Sequence, residues 1–315
     1  MTEQLSVSND LTLQTVQAAF GHSLEWNKEL APLTSYKTGG RAKYFITAVS
    51  AVEIAKAISA AKKLKLNFFL IGGGSNLLIS DEGFDGLIIK VDVRGLTRIE
   101  PNGIECGAGE DLMALVDFAT NQNLTGAEFA AGIWGSVGGA VYGNAGAFGG
   151  EIGQITTEVT LVDIEGRLKV VAPDYCRFSY RDSFLKVSHE VVVSVKLALQ
   201  PGNSSEIQQK VDDILKLRET KHPNAGKSAG CFFKNIPDPR EQYGKLPAGR
   251  LLEEVGAKGL SVGGAKVFEK HANIIVNTGT ATSRDIRSLA DIMKKRVFEK
   301  FGIMLNEEVQ TIGKF

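Results

Sequence analysis

The hydrophobic positions change period several times along the chain, and those changes mark its elements. From Ala51 to Leu64 (AVEIAKAISAAKKL) apolar residues recur at helical spacing and predict an amphipathic helix. A short apolar run, NFFLI at 67–71, predicts a buried strand that leads straight into three consecutive glycines, Gly72, Gly73 and Gly74. LIIKV at 87–91 predicts a second buried strand, and Leu112, Leu115, Val116 and Ala119 fall at i, i+3, i+4 and i+7 of another helix. Between Thr156 and Leu199 the pattern becomes that of β-structure: TEVTLVDI, a turn at Glu165-Gly166, LKVVA, then EVVVSVKLAL. PGNSS at 201–205 is the best linker candidate. Beyond it Ile207, Val211, Ile214 and Leu215 trace a helix, and short strands are expected near 265–276. Ser283 is placed as the cap of a long helix through Lys300, with LNEEVQTIG as a last strand. These readings add up to an α+β chain with a boundary near 200.

Composition narrows the function classes. At 315 residues the chain exceeds one typical domain of about 100–200 residues. Thirty-six Lys+Arg balance 36 Asp+Glu, so no global field favours nucleic acid or an anionic membrane. Cys106, Cys176 and Cys231 lie far apart without a CxxC pair, which argues against a disulfide framework or a structural zinc site and for a reducing compartment. The first residues, MTEQLSVSNDLTLQ, lack the basic start and apolar run of a signal peptide, and no apolar stretch approaches the roughly 20 residues of a membrane span. A cytoplasmic location is expected. Four scattered His, including His222 and His271, show no paired spacing, so no metal is expected and these rings are read as satisfied or solvent-facing.

Glycine is the outlier. There are 35 glycines and only 8 prolines, and nine of the glycines fall between Gly132 and Gly153. A glycine cluster often means only tight turns. Here IGGGSN follows an apolar strand, so bare backbone N–H groups emerge at a strand end, where they can form a nest for a phosphate, with Ser75 and Asn76 as added donors. The string GxxxxGK[ST] of a P-loop does not occur. A GxGxxG dinucleotide fingerprint fails because position 77 is Leu and no helical pattern follows. What remains is a glycine-lined diphosphate site outside both folds.

Six ordered motifs then come together: YKTGG at 36–40, GGGSNLL at 72–78, the 132–149 glycine block, FSYRDS at 178–183, GCFFKN at 230–235 and Glu308-Val309. In this combination the chain resembles the UDP-N-acetylenolpyruvoylglucosamine reductase (MurB) family, from about Leu33 to Gly313. The absence of a long insertion between SYRDS and GCFFKN resembles its type II members. The resemblance implies an FAD-binding region of the PCMH (vanillyl-alcohol-oxidase-like) type and a separate C-terminal α+β substrate domain. The expected division is an extension at 1–30, an FAD region at 31–200 with subdomains of about 31–91 and 92–200, a substrate domain at 206–302, and a tail at 303–315 returning to the first subdomain. By motif position FAD would be held by Tyr36, Lys37, Thr38 and Gly39, by Gly72, Gly73, Gly74, Ser75 and Asn76, and by Gly132, Ser136, Gly138, Gly139, Asn144 and Gly146.

The chemistry implied by the family is reduction of an enolpyruvyl ether on a UDP-sugar to a lactyl ether, with NADPH as hydride-donating co-substrate. Charge developing beside the substrate carboxylate needs stabilisation, and the neighbouring carbon needs a proton. Arg181 matches the family's catalytic Arg, and a guanidinium can grip a carboxylate bidentately while staying charged. Glu308 matches the catalytic Glu; Glu307 competes, but adjacent strand residues face opposite ways and the Glu-Val register favours Glu308. Cys231 stands where the family usually has a proton-donating Ser, and a thiol, with an ordinary pKa of about 8.5, can take that role. Lys234 and Asn235 match UDP-sugar positions, with Lys221 and Asn273 as weaker candidates. Trp134, where many relatives have Pro, and Gln310, where Arg is common, depart from the pattern. Two rival readings are another PCMH-type flavin oxidase or dehydrogenase, and a nucleotide-binding regulatory module without catalysis. SYRDS, GCFFKN and the terminal Glu-Val disfavour the first, and retention of Arg181 and Glu308 the second.

Overall fold

The structure is a computed structural model that describes residues 15–223, 227–241 and 244–315. Its first sheet contains β1 (Glu25–Glu29), β2 (Arg41–Ala48), β3 (Phe68–Ile71) and β5 (Phe84–Val91), in the order β1-β2-β5-β3. β1 is antiparallel to β2, whereas β2, β5 and β3 run parallel, joined by helix α1 (Ala51–Lys63). β5 is buried over most of its length because both faces of the sheet are covered, so it reads as an unbroken apolar run instead of an alternation. Tyr44 and Ile46 face the main core, while Phe45 faces a small second layer with Ile79, Ile88 and Ile312.

Residues 25–29 are therefore a paired strand and not part of an extension ending at 30. Leu24 and Leu30 are buried at its two ends. Residues 1–14 of the expected extension lie outside the described residues.

The second sheet is antiparallel and five-stranded. It is built from β6 (Leu96–Ile99), β7 (Gly103–Gly107), β8 (Thr156–Val162), β9 (Leu168–Val171) and β10 (Val191–Ala198), in the order β9-β8-β10-β7-β6. Helix α2 (Leu112–Asn121) buries Leu112, Leu115, Val116 and Ala119, the four positions that predict it, in the main core. Helix α3 (Val137–Gly143) lies inside the long glycine block.

The expected linker is structured. Gln200–Pro201 pairs with Leu124–Thr125, and the Asn203 side chain caps α4 (Ser204–Lys221) by accepting from the amides of Ser205 and Glu206. Val211, Ile214 and Leu215 of α4 pack into the main core, so this helix belongs with the two preceding sheets and not with the unit expected to begin at 206.

A further core forms downstream around Phe232, Phe233, Leu252, Ile275, Ile286, Leu289 and Met293. It is built from α5 (Ala248–Glu254), a small sheet of β11 (Ser261–Val262), β12 (Ala265–Val267) and β13 (Ile275–Asn277), and α6 (Ser283–Phe301). The cap of α6 is Thr282, one residue before the expected Ser283. Its hydroxyl accepts from Asp285 N while the Asp285 carboxylate accepts from Thr282 N. The chain ends in β14 (Gln310–Ile312), which pairs in parallel with β4 (Leu77–Ile79).

Candidate active site

The two glycine-rich stretches pack against each other. Gly73 N donates to Ser136 Oγ at 3.3 Å, and the same oxygen accepts from Gly139 N at 3.3 Å, capping α3. A Cβ on Gly72 would lie 2.3 Å from Ser136 Oγ, and one on Gly73 would lie 2.8 Å from Gly135 Cα. Close backbone approach, more than turn geometry, requires glycine here. One face of α3 stays bare: a Cβ at Gly143 would meet nothing within 4 Å, and one at Gly139 only Ser136 Oγ at 3.4 Å. That face lines a cavity of about 1160 Å³, whose wall also includes Gly72–Asn76, Gly132, Gly138, Gly146, Arg181, Cys231 and Glu308. The volume lies above the roughly 300–1,000 Å³ of a usual ligand pocket.

Arg181 is held in an uncommon conformation. Ser179 and Asp182 exchange backbone hydrogen bonds across a tight turn, and Arg181 takes a left-handed φ of 54°, which costs about 1–3 kcal/mol for a non-glycine residue. Neighbours hold the turn there. Asn144 Nδ2 donates to Ser179 O at 2.8 Å, Ser183 Oγ to Tyr142 O at 2.7 Å, and Lys186 Nζ to Arg181 O at 2.6 Å. The guanidinium then donates through Nη2 to Gly146 O at 2.5 Å and sets Nε 3.0 Å from Glu308 Oε1.

Burial pushes the Glu308 carboxyl above the usual carboxylate range, although Arg181, Lys234 and Lys186 pull it back. Cys231 is partly accessible, and burial followed by the charge of Glu308 pushes its thiol up to about 12, against Arg181 and Arg218. The thiol is neutral at physiological pH and can give a proton. Glu307 points elsewhere. Its carboxylate takes two bonds from Arg287, at 2.8 and 3.0 Å, and one from Lys294 at 3.1 Å. The two adjacent acids thus face different partners, although Glu307 forms only an isolated bridge with Phe233 and Glu308 precedes the strand that begins at Gln310.

The fit of a flavin dinucleotide can be tested on Arg218. Its buried Nε has no partner, no carboxylate pairs with it among the described residues, and it lines the cavity. A sequestered cation and a bare glycine face are what an anionic dinucleotide would complete. Residues 42–172 match the family model of an FAD binding domain, and residues 221–312 match that of the UDP-N-acetylenolpyruvoylglucosamine reductase C-terminal domain. The UDP-N-acetylenolpyruvoylglucosamine reductase of Caldanaerobacter subterraneus subsp. tengcongensis is 36% identical over 287 residues, 91% of this chain and 93% of that one. Its counterpart from Lachnoclostridium phytofermentans is 39% identical over 292 residues, 91% and 92% of the two chains. The crystal structure of the Thermus caldophilus reductase (MurB) superposes with a TM-score of 0.76 at 32% identity, covering 92% of this chain and 98% of that one. The chain belongs to the UDP-N-acetylenolpyruvoylglucosamine reductase family. The FAD-binding, α+β architecture expected from its motifs is therefore the fold it has.

Several residues singled out from the motifs of this reductase family lie away from the cavity wall. Tyr36 is buried in the downstream core, and its carbonyl accepts from Asn277 Nδ2 at 2.8 Å. Lys37, Thr38 and Gly39 form the turn behind the glycine loop; Lys37 Nζ reaches Pro32 O at 2.9 Å, and a Cβ on Gly39 would press on Ile79. This segment braces the loop, with Ser35 N donating to Gly74 O at 3.0 Å, where direct cofactor contacts were expected. Asn144 is fully buried and spends its amide on Ser179 O and Gly153 N. Asn273 spends its amide on both backbone groups of Phe233, which takes it out of the substrate-contact set. Lys221 is exposed at the end of α4, outside the wall. Asn235 lines the cavity while its Oδ1 accepts from Ala248 N at 3.1 Å; Lys234 is not part of the wall, and its charge acts on Glu308 and Lys186. Trp134, 47% exposed on the cavity wall, is not a core residue.

Other wall residues gave no local signal in the sequence. His222 and His271 stack with ring centroids 6.0 Å apart. Burial, reinforced by Arg218, holds His222 down at about 4, so the ring is neutral. Arg218 and Lys186 reach the wall only because α4 and the SYRDS turn fold against the glycine block. Among the described residues no group of His, Cys, Asp and Glu could hold a metal ion.

Proposed function

We propose that this chain reduces the enolpyruvyl ether of UDP-N-acetylglucosamine to the lactyl ether of UDP-N-acetylmuramate, a step of peptidoglycan precursor synthesis, with FAD as cofactor and NADPH as reductant. The observation that carries the residue roles is the Arg181–Glu308 pair beside the neutral thiol of Cys231 on one cavity. FAD, when bound, supplies the two-electron chemistry. The glycine loops offer it backbone amides and a face without side chains, and Arg218, stacked on Phe148, offers a cation with no carboxylate partner among the described residues.

Arg181 orients the substrate carboxylate. Its Nη1 carries no hydrogen bond among the described residues and is available to the anion. Glu308 is raised by burial and paired with Arg181; on arrival of the anionic substrate the added like charge raises it further, and the proton it then takes up lets it donate a hydrogen bond to that carboxylate as charge develops there. Cys231 Sγ gives its proton to the carbon next to the carboxylate, replacing the usual Ser of the family. Asn235, on the wall, contacts the UDP-sugar, and Lys234, behind the wall, adds positive charge beside Glu308. In this reading the FAD side comprises the two sheets with α4, the substrate side begins near Ala229, and the tail returns to β4.

A cytosolic reaction on a small UDP-sugar, without nucleic acid or membrane partner, agrees with the zero net charge and with described helices too short or too polar to cross a membrane. The test is direct. The purified protein should show a flavin spectrum, and its NADPH-reduced form should be reoxidised anaerobically by the enolpyruvyl sugar nucleotide. A colourless protein that cannot be reconstituted with FAD, or a reduced flavin indifferent to that substrate, would overturn the proposal.

A further inference from the structure

Asn76 ends the glycine loop, and its side chain points to a task other than holding a phosphate. Its Nδ2 donates to the carbonyl oxygen of Glu308 at 3.0 Å, across 232 positions of sequence. Its own carbonyl accepts from Gln310 N at 3.0 Å. The two bonds bracket Val309, whose side chain is buried in the downstream core, and the parallel ladder of β14 with β4 starts at once with Gln310 opposite Leu77. On its other side Glu308 N donates to Phe232 O at 2.8 Å, one residue after Cys231. The peptide groups before and after the Glu308 Cα are both fixed. One is tied to the segment carrying the thiol and the other to the cofactor loop.

We propose that Asn76 is a positioning residue for Glu308, fixing the backbone from which the carboxyl reaches Arg181, so that the conformation of the cofactor loop and the placement of the acid are coupled. This rests on the reading of Glu308 given above. A carboxamide is suited to the task because its rigid N–H can span from loop to tail, whereas Ala cannot donate and an ionised Asp can only accept. The charged and titratable groups coupled to Glu308 are Tyr180 and Arg181 of the SYRDS turn, Lys186 just beyond it, and Cys231 and Lys234 of the GCFFKN segment. Asn76 adds no charge to this set, so its removal changes the acid only by moving it.

The test uses the full-length flavoprotein with Asn76→Ala and the near-isosteric, uncharged Asn76→Leu, each alone and combined with Glu308→Gln. Flavin affinity is read by absorbance titration, flavin reduction by NADPH in stopped flow, and anaerobic reoxidation by the enolpyruvyl substrate as a function of pH. The expected result is reoxidation slowed about tenfold by either Asn76 change, the order set by one lost hydrogen bond at a buried acid. The pH limb due to Glu308 should move, while flavin affinity and the NADPH step change by less than about twofold. In the Glu308→Gln background the Asn76 change should add almost nothing, because groups acting as a unit are not additive. Multiplying effects in the double variant, or an effect confined to flavin affinity, would overturn the inference while leaving the role of Glu308 intact. Unchanged reoxidation in Glu308→Gln alone would instead remove that role, and this inference with it.

Discussion

In the proposed mechanism Cys231 takes the proton-donating place of a serine, a change of chemistry at the scale of one residue. A free thiol of ordinary pKa would ionise appreciably at mildly alkaline pH and stop acting as an acid. Burial and the neighbouring Glu308 push this one up to about 12, which keeps it protonated. A donor works only below its own pKa, so the rate of reoxidation by the enolpyruvyl substrate should show no thiol-derived alkaline limb between pH 7 and about pH 9. Cys231→Ser should retain reoxidation with the same profile. Cys231→Ala should slow it by about 10²–10⁴, the usual contribution of a positioned acid, with NADPH reduction of the flavin unaffected. Single-turnover kinetics of the three proteins check this; a wild-type rate in Cys231→Ala would remove the thiol from the proposed mechanism.

The same scale shows where reading motifs stops. Arg181, Cys231 and Glu308 were legible because each sits in an ordered motif, and the structure brings all three to one cavity. Asn144 and Asn273 look like ligand donors in the sequence, yet their amides are spent on backbone groups. A motif says which polar group is present and not which way it faces, since the partner that claims it can be 35 or 40 positions distant.

At the scale of elements, hydrophobic period was sufficient for α1, α2, β3, β5, β8, β9 and β10, most of whose apolar positions face a core, and it gave no reading of β1, β2, β6 or β7. It failed for PGNSS, where Pro201 pairs at a sheet edge and Asn203 serves as a helix cap, two uses of turn-type residues that composition alone cannot tell from a linker. It also could not show that α6 has a second cap from outside its own neighbourhood. Asp81, on the turn after β4, accepts from Ser283 N at 2.8 Å and from Arg284 N at 2.9 Å. A carboxylate at a helix N-terminus satisfies free amides and complements the dipole, so Asp81→Ala should cost about 1 kcal/mol. For a chain of this size the melting temperature should fall by roughly 1–2 °C. Asp81→Asn, which keeps an acceptor, should recover part of the loss in calorimetry; equal melting of all three proteins would show that the contact carries no stability.

The whole molecule is organised around surface shared between its two main cores. Tyr36 and Leu78 of the FAD side are buried in the downstream core, and Ile312 of the tail is buried beside Phe45 and Ile79 on the FAD side. Glu307 on Arg287 and Lys294 fastens the tail to α6, and Asn76 fastens it to the glycine loop. Such interpenetration should make the chain unfold as one cooperative unit, so that energy gained at the flavin site is felt by elements that do not touch it. α6 contributes nothing to the cavity wall. FAD at about 100 times its Kd should stabilise the folded state by about 2.7 kcal/mol, and the gain should appear in hydrogen exchange of the α6 amides as about a hundredfold slowing. Ile312→Ala, which removes a buried side chain at a cost of about 2–5 kcal/mol, should weaken this transfer to α6 while the glycine loop still gains protection from FAD. If α6 exchanges at the same rate with and without FAD in the wild-type protein, the two cores are energetically separate, and the tail holds Glu308 in place without binding the halves into one unit.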